Sequence, residues 1–328
     1  MKFTPKDIKG VVGIVPTPAT ADADKWTATN TVNLDEVSKM VSIIQDAGVD
    51  FLMTTGTFGE CASLLADEVM SFVDCIIQTT RQKCPLFVGV TTLNTRETVA
   101  RGREILAKFP VDGLFLGRPM WLPLDDQGIL DYYRDLAEAF KGVPLIVYDN
   151  PFAFKGKISP AVYRELAKIP EIVAAKHTGG PSLYPDLEAV GDRISMLPID
   201  SEWYEPAHKH PDQVIACWSG NVACGPEPVV ALARAIAKRD WPLAKQITDR
   251  LEWSSAPMFP DGDLATFIPY SIQIGRARFK GAGMIDPGPS RPPYVYAPES
   301  MIAGGLEAGR RMRIVREEFT SKPVKRAI

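Results

Sequence analysis

A single lysine closes an apolar run in Ile172-Val173-Ala174-Ala175-Lys176-His177-Thr178-Gly179-Gly180. An apolar run bounded by glycine reads as a strand buried on both faces, and lysine is almost never buried without a partner or a task. At the end of such a strand the amine loses hydration, which disfavours the charged form and lowers the pKa. An uncharged amine at neutral pH is the nucleophile needed for a Schiff base with a carbonyl compound. The plain alternative is a lysine whose ammonium snorkels to solvent. The residues that the fold gathers around Lys176 decide between the two.

Composition narrows the field first. The chain has 328 residues, 45% of them hydrophobic and 23% charged, which suits an ordinary globular protein with a sizeable core. The net charge of -3, with both signs interspersed, offers no basic stripe for nucleic acid. The start of the chain lacks an apolar leader segment, and no uncharged stretch approaches the roughly 20 residues that span a membrane. A cytoplasmic protein with no membrane partner is expected. Five cysteines, Cys61, Cys75, Cys84, Cys217 and Cys224, form no C-x-x-C pair and read as reduced thiols. The three histidines, His177, His208 and His210, show no helical ligand spacing, so no metal site is expected.

Apolar runs begin near residues 11, 49, 86, 112, 144, 172, 194 and 213, with helical patterns between them. Asn33 with Glu36, Asn94 with Glu97, and Ser159-Pro160 are helix starts. Strand alternating with helix implies right-handed βαβ units and a parallel sheet. Eight such units in roughly 230 residues predict a closed (β/α)8 barrel. A doubly wound open sheet is the rival, but no G-x-G-x-x-G follows the first strand. The barrel is expected over residues 1–240, with a helical appendage over 241–328. Helices are expected at 228–255, 263–282 and 298–318, with Arg276, Arg278, Arg310, Arg311 and Arg313 forming a solvated basic face.

Barrel enzymes carry their sites at the carboxyl ends of the strands. Those ends here are Gly56-Thr57-Phe58-Gly59-Glu60-Cys61, Gly117-Arg118-Pro119-Met120-Trp121, Tyr148-Asp149-Asn150-Pro151, Lys176 and Trp218-Ser219-Gly220-Asn221. Strand alternation puts Ile146 and Tyr148 on one face, and Ala174 and Lys176 on one face. Tyr148 and Lys176 are therefore expected to point inward from neighbouring strands, with the small Ala174 leaving room below the lysine. His177 is expected to point away.

The Gly-Thr-x-Gly-Glu loop, Tyr-x-x-Pro and the strand-6 lysine resemble the N-acetylneuraminate lyase and dihydrodipicolinate synthase superfamily. More narrowly, Pro16-Thr17-Pro18, Asn30-Thr31-Val32-Asn33-Leu34-Asp35-Glu36, Leu93-Asn94-Thr95-Arg96-Glu97 and Arg291-Pro292-Pro293-Tyr294 look like the hydratase-aldolases of aromatic degradation. The resemblance implies that Lys176 forms an imine with the 2-oxo group of a benzylidenepyruvate, with no cofactor. It also implies that Gly56, Thr57 and the backbone N–H of Phe58 hold the pyruvyl carboxylate, and that Tyr148 shuttles protons. Water addition and retro-aldol cleavage would then release an aromatic aldehyde and pyruvate. A homotetramer is implied on the same ground.

Two departures from the synthases bear on substrate. Phe152-Ala153-Phe154 stands where they carry an arginine after Tyr-x-x-Pro, and Phe58 stands where they carry a small hydroxyl residue. Phe58, Trp121, Phe152 and Trp218 are expected to line a pocket for a flat ring, with Ser219 and Gly220 as further contacts. Asn150 and Ser271 are weaker candidates for orienting water. His177, with Lys155 or Lys157, could favour a ring carboxylate, against the plainer reading of a supporting histidine. The competing functions are a sugar-acid aldolase or dehydratase using the same lysine, a dihydrodipicolinate synthase-like enzyme, and a catalytically silent barrel serving as sensor or scaffold.

Overall fold

In the computed structural model, which describes residues 1–320, each of the eight apolar runs forms a short parallel strand. They are β1 (Gly10–Ile14), β2 (Phe51–Met53), β3 (Leu86–Gly89), β4 (Gly113–Leu116), β5 (Leu145–Tyr148), β6 (Ile172–Lys176), β7 (Ser195–Leu197) and β8 (Ala216–Ser219). Sequential strands are neighbours, and β1 pairs with β8 from Gly10↔Ala216 to Gly13↔Ser219. An Ile199↔Trp218 bridge, with Trp218 N–H donating to Pro198 O at 2.9 Å, joins the last edge. The sheet is thus a closed (β/α)8 barrel.

The helices are α1 (Leu34–Ala47), α2 (Ala66–Thr80), α3 (Thr95–Lys108), α4 (Asp126–Ala139), α5 (Pro160–Leu166), α6 (Leu183–Val190), α7 (Tyr204–Lys209), α8 (Glu227–Ala237), α9 (Trp241–Ser255), α10 (Leu264–Phe267), α11 (Ser271–Ala282) and α12 (Glu299–Thr320). Their starts follow the capping chemistry read from the sequence. Asn33, Asn94 and Ser159 side chains accept the N–H of Glu36, Glu97 and Val162. The Glu36 carboxylate departs from the capping box, because it accepts from Lys39 and from the Asp286 N–H.

Two cores result from the alternation. Val12, Ile14, Met53, Phe115, Ile146, Tyr148, Ala174 and Trp218 pack inside the barrel. Val11, Leu52, Val88, Leu114, Val147, Ala175 and Cys217 face outward against the helices. A register shift between Leu145 and Ile146 sets Ile146 opposite Ala174 and Tyr148 opposite Lys176.

The appendage differs from expectation in detail. The helix expected at 228–255 is two helices, because Arg239 takes a left-handed φ of 55° and Asp240 caps α9 by accepting the Leu243 N–H. The one expected at 263–282 breaks around Pro269, between α10 and α11. The expected basic face is not solvated throughout: Arg276 and Arg278 are buried, whereas Arg310 and Arg313 are exposed. Buried partners, described below, claim the first two. The final residues of the expected appendage, 321–328, lie outside the described residues. No helix among the described residues is long and apolar enough to cross a membrane.

Candidate active site

A cavity of about 280 Å³ opens at the carboxyl ends of the strands. Lys176 rises into it from β6. Its Nζ lies 3.6 Å from the ring centroid of Trp218 and 4.6 Å from that of Tyr148. Among the described residues this amine makes no hydrogen bond and no ion pair. Burial pushes its pKa down from 10.5 to about 7, and the carboxylate of Asp149 opposes the shift only in part. Lys176 is half-buried as a residue and lines the cavity. The amine is thus desolvated and partly freed of its charge near neutral pH.

Tyr148 stands opposite Lys176 on β5. Its ring stacks on Phe115 at 4.6 Å and meets the edge of Phe154 at 5.2 Å. Its hydroxyl lies 2.6 Å from Thr57 Oγ1 and accepts from Asn150 Nδ2 at 3.1 Å. Burial raises the phenol pKa, and the Thr57 and Asn150 hydrogen bonds counter this only partly. The phenol therefore keeps its proton at neutral pH and can relay one. Asn150 is itself held, since its Oδ1 accepts the N–H groups of Phe152 and Ala153 at 3.1 Å each.

Thr57, Gly56 and Phe58 sit on a tight turn after β2. Thr55 and Glu60, which bracket it, adopt left-handed φ of 48° and 52°. Non-glycine residues do so at a cost that surrounding structure must offset. A Cβ on Gly59 would lie 2.5 Å from the Thr55 N, so only glycine fits there. Thr55 Oγ1 donates to Gly89 O at 2.7 Å. Glu60, almost fully buried, takes Arg276 Nε at 2.5 Å on one oxygen and Arg291 Nη1 at 2.8 Å on the other. Arg291 also donates to Thr31 O at 2.8 Å, and Arg276 Nη2 to Thr17 O at 3.0 Å. This strut ties the turn to α11 and to the loop after β1. The strut escaped sequence reading; the Gly-Glu of the loop and the Arg291 of the carboxyl-terminal motif were its only traces.

The remaining predicted residues divide. Phe58, Phe152, Trp218, Gly220 and Ser271 line the cavity. Trp218 is anchored by Nε1–H donating to His177 O at 2.8 Å. Trp121 does not join them: it is 73% exposed on the loop after β4, and its carbonyl accepts from Lys155 Nζ at 2.5 Å. Ser219 is buried behind the cavity surface, where its hydroxyl donates to Asp200 and accepts the Asn221 N–H at 3.1 Å. The apolar wall expected from Trp121 comes instead from the appendage, through Met258, Phe259, Leu264, Phe267 and Ile268. Their apolar character around Pro260 and Pro269 was the available signal.

His177 is fully buried outside the cavity lining. Its Nδ1 accepts the Gly179 N–H at 2.8 Å, which leaves Nε2–H to donate to Asp186 at 3.0 Å. Lys157 Nζ reaches the same carboxylate at 2.7 Å. Neither His177 nor Lys155 nor Lys157 is placed to meet a substrate; the supporting role is the one the geometry favours.

Residues 12–205 match the dihydrodipicolinate synthetase family. The chain is 48% identical to trans-2'-carboxybenzalpyruvate hydratase-aldolase of Nocardioides sp. (strain KP7), over 97% of each chain. It is 36% identical to trans-O-hydroxybenzylidenepyruvate hydratase-aldolase of Pseudomonas aeruginosa, over 98% of this chain and 97% of that one. Among solved structures, PhdJ bound to substrate intermediate superposes with a TM-score of 0.95 at 49% identity, covering 97% of this chain and 99% of that one. A sialic acid aldolase of Ruminococcus gnavus shares the fold, with a TM-score of 0.78 at 15% identity over 95% of this chain and 99% of that one.

Proposed function

Because the chain belongs to the dihydrodipicolinate synthetase family, we propose that it is a class I hydratase-aldolase acting on a trans-ortho-substituted benzylidenepyruvate. The products are an aromatic aldehyde and pyruvate. One observation carries the reading: a desolvated Lys176 amine without hydrogen bonds, facing a Tyr148–Thr57 pair inside an apolar-walled cavity.

In this reading Lys176 Nζ adds to the 2-oxo carbon, and loss of that oxygen as water leaves an iminium. Gly56, Thr57 and the Phe58 N–H hold the pyruvyl carboxylate. The iminium draws electrons from the conjugated double bond. Water adds across that bond, hydroxyl to the ring-bearing carbon and proton to its neighbour. Cleavage between those two carbons turns the hydroxyl into the aldehyde and sends the bonding pair into the iminium as an enamine. The hydroxyl proton passes by way of the Tyr148 phenol to the enamine carbon. Hydrolysis then frees pyruvate and the lysine, for a net uptake of one water. Phe58, Phe152, Trp218, Phe259 and Phe267 offer flat apolar surface to the ring.

The iminium serves as electron sink, so the proposed chemistry calls for neither metal nor organic cofactor. The same reading takes the protein as a cytoplasmic homo-oligomer, a tetramer by family resemblance.

Borohydride trapping with pyruvate tests the proposal. A reduced pyruvyl adduct should map to Lys176, and aldehyde should be released from ortho-substituted benzylidenepyruvates. Absence of both would exclude the Schiff-base reading.

A further inference from the structure

One permanent cation in the cavity lining, Arg278, makes no direct ion pair among the described residues. Arg278, on α11, is 6% exposed and lines the cavity. Among the described residues its guanidinium meets only neutral acceptors, Asn221 Oδ1 and Ser255 Oγ, the latter at 3.4 Å. Its Nε is buried with no hydrogen-bond partner. Arg118 Nε is likewise unpartnered, but the other buried arginines each make a direct ion pair. Arg118 pairs with Asp149, and Arg276 and Arg291 share Glu60. Asp200 feels the Arg278 charge, but only across Asn221, which accepts from Arg278 and donates to Asp200, and the same carboxylate also accepts from Ser219 and the Ser201 N–H. A buried guanidinium compensated only at one remove, by a carboxylate that other donors share, gains from a further anion placed directly on it.

The position is also built rather than incidental. A Cβ on Gly309 of α12 would lie 2.1 Å from Arg278 O, so the glycine lets the two helices close and sets the arginine backbone. Arg278 comes from the appendage, which also supplies the apolar wall, whereas Lys176 and the Thr57 turn belong to the barrel. Substrate fixed at the barrel through its pyruvyl end would turn its ring toward the appendage.

We propose that Arg278 binds an anionic ortho substituent on the substrate ring, and that this chain thereby prefers 2-carboxy over 2-hydroxy benzylidenepyruvates. The inference rests on the function proposed above. A carboxylate offers two oxygens to the guanidinium fork and neutralises its charge. A neutral hydroxyl offers one oxygen and leaves the charge unmatched, and buried groups left unmatched are what give a site strong discrimination.

The test compares kcat/KM for 2-carboxy, 2-hydroxy and unsubstituted benzylidenepyruvate in the wild type and in Arg278→Gln and Arg278→Lys. Arg278→Gln should lower the 2-carboxy value on the order of 100-fold and the unsubstituted value less than about 3-fold, with Arg278→Lys recovering part of the loss. Inhibition by 2-carboxybenzaldehyde should weaken in parallel, while inhibition by benzaldehyde holds. Pyruvate trapping at Lys176 should persist in both variants, which shows that the site is intact. Arg278→Met, which keeps the packing of the stem, supplies the same comparison if the glutamine variant does not fold. Equal losses on all three substrates would put Arg278 on the shared carboxylate or in the scaffold and overturn the proposal. An unchanged 2-carboxy value would overturn it as well. A wild type that traps pyruvate but favours the 2-hydroxy substrate refutes this inference alone; one that neither traps pyruvate nor turns over any of the three refutes the function with it.

Discussion

Replacing Lys176 by methionine should abolish imine formation and at the same time stabilise the fold at neutral pH. The folded chain holds this amine at a pKa of about 7, against 10.5 for an ordinary lysine. The sign follows from proton counting. Between those values the unfolded chain carries a proton that the folded chain lacks, so stability rises with pH across that window. Below about pH 7 both states are protonated, and the folded state bears the whole penalty of a buried charge. At about 1.36 kcal/mol per pH unit the penalty comes to roughly 5 kcal/mol. The ring faces of Trp218 and Tyr148 favour the ammonium by about 1–2 kcal/mol. A gain of about 3–4 kcal/mol is therefore expected for Lys176→Met at pH 7, since methionine fills most of the same volume without charge. Guanidinium denaturation of both proteins at pH 7, 8.5 and 10 measures it. The gap should shrink toward zero as pH approaches 10.5. A methionine variant no more stable than the wild type at pH 7, or a gap indifferent to pH, would refute the desolvation argument. The same burial sets reactivity, so pyruvate trapping in the wild type should rise with pH around a midpoint near 7, far below that of a solvated lysine.

Other substitutions separate the remaining parts of the site. Tyr148→Phe should cut aldehyde release by about 10²–10⁴-fold while leaving a trappable pyruvate imine; a loss under about tenfold in steady-state kcat would remove the phenol from the proton path. Glu60→Gln strands Arg276 and Arg291 without a carboxylate and should cost about 3–5 kcal/mol in chemical denaturation, with a raised KM as the Thr57 turn loosens. A cost near zero would mean that the strut does not hold the turn. His177→Gln should destabilise by about 1–3 kcal/mol through loss of the Asp186 hydrogen bond. Its preference between 2-carboxy and 2-hydroxy substrates should stay within about twofold, and a tenfold change would return His177 to the substrate site.

Local chemistry in the sequence was enough to determine the barrel and to point Lys176 and Tyr148 into it. Each strand announces itself as an apolar run because both of its faces are buried, and Asn33, Asn94 and Ser159 mark helix starts through their own side chains. Since consecutive strands pair in this fold, alternation points Tyr148 and Lys176 inward and turns His177 away, while the register shift at Leu145/Ile146, which the sequence did not announce, sets the two opposite each other. Partners far apart in the chain were not legible. Glu60 and Arg276 are 216 positions apart, and nothing local distinguishes a buried arginine from one on a solvated helix face. Reading Arg276 and Arg278 as surface charge failed for that reason. Trp121 and Phe152 are equally apolar residues on strand-end loops, yet only Phe152 reaches the cavity, because the loop path decides where a side chain ends. The chain's own pattern thus specified which amine could react and which phenol stands by it. Tertiary structure alone decided what surrounds the far end of the cavity, because burial of a charge depends on the segments that close over it rather than on its sequence neighbours.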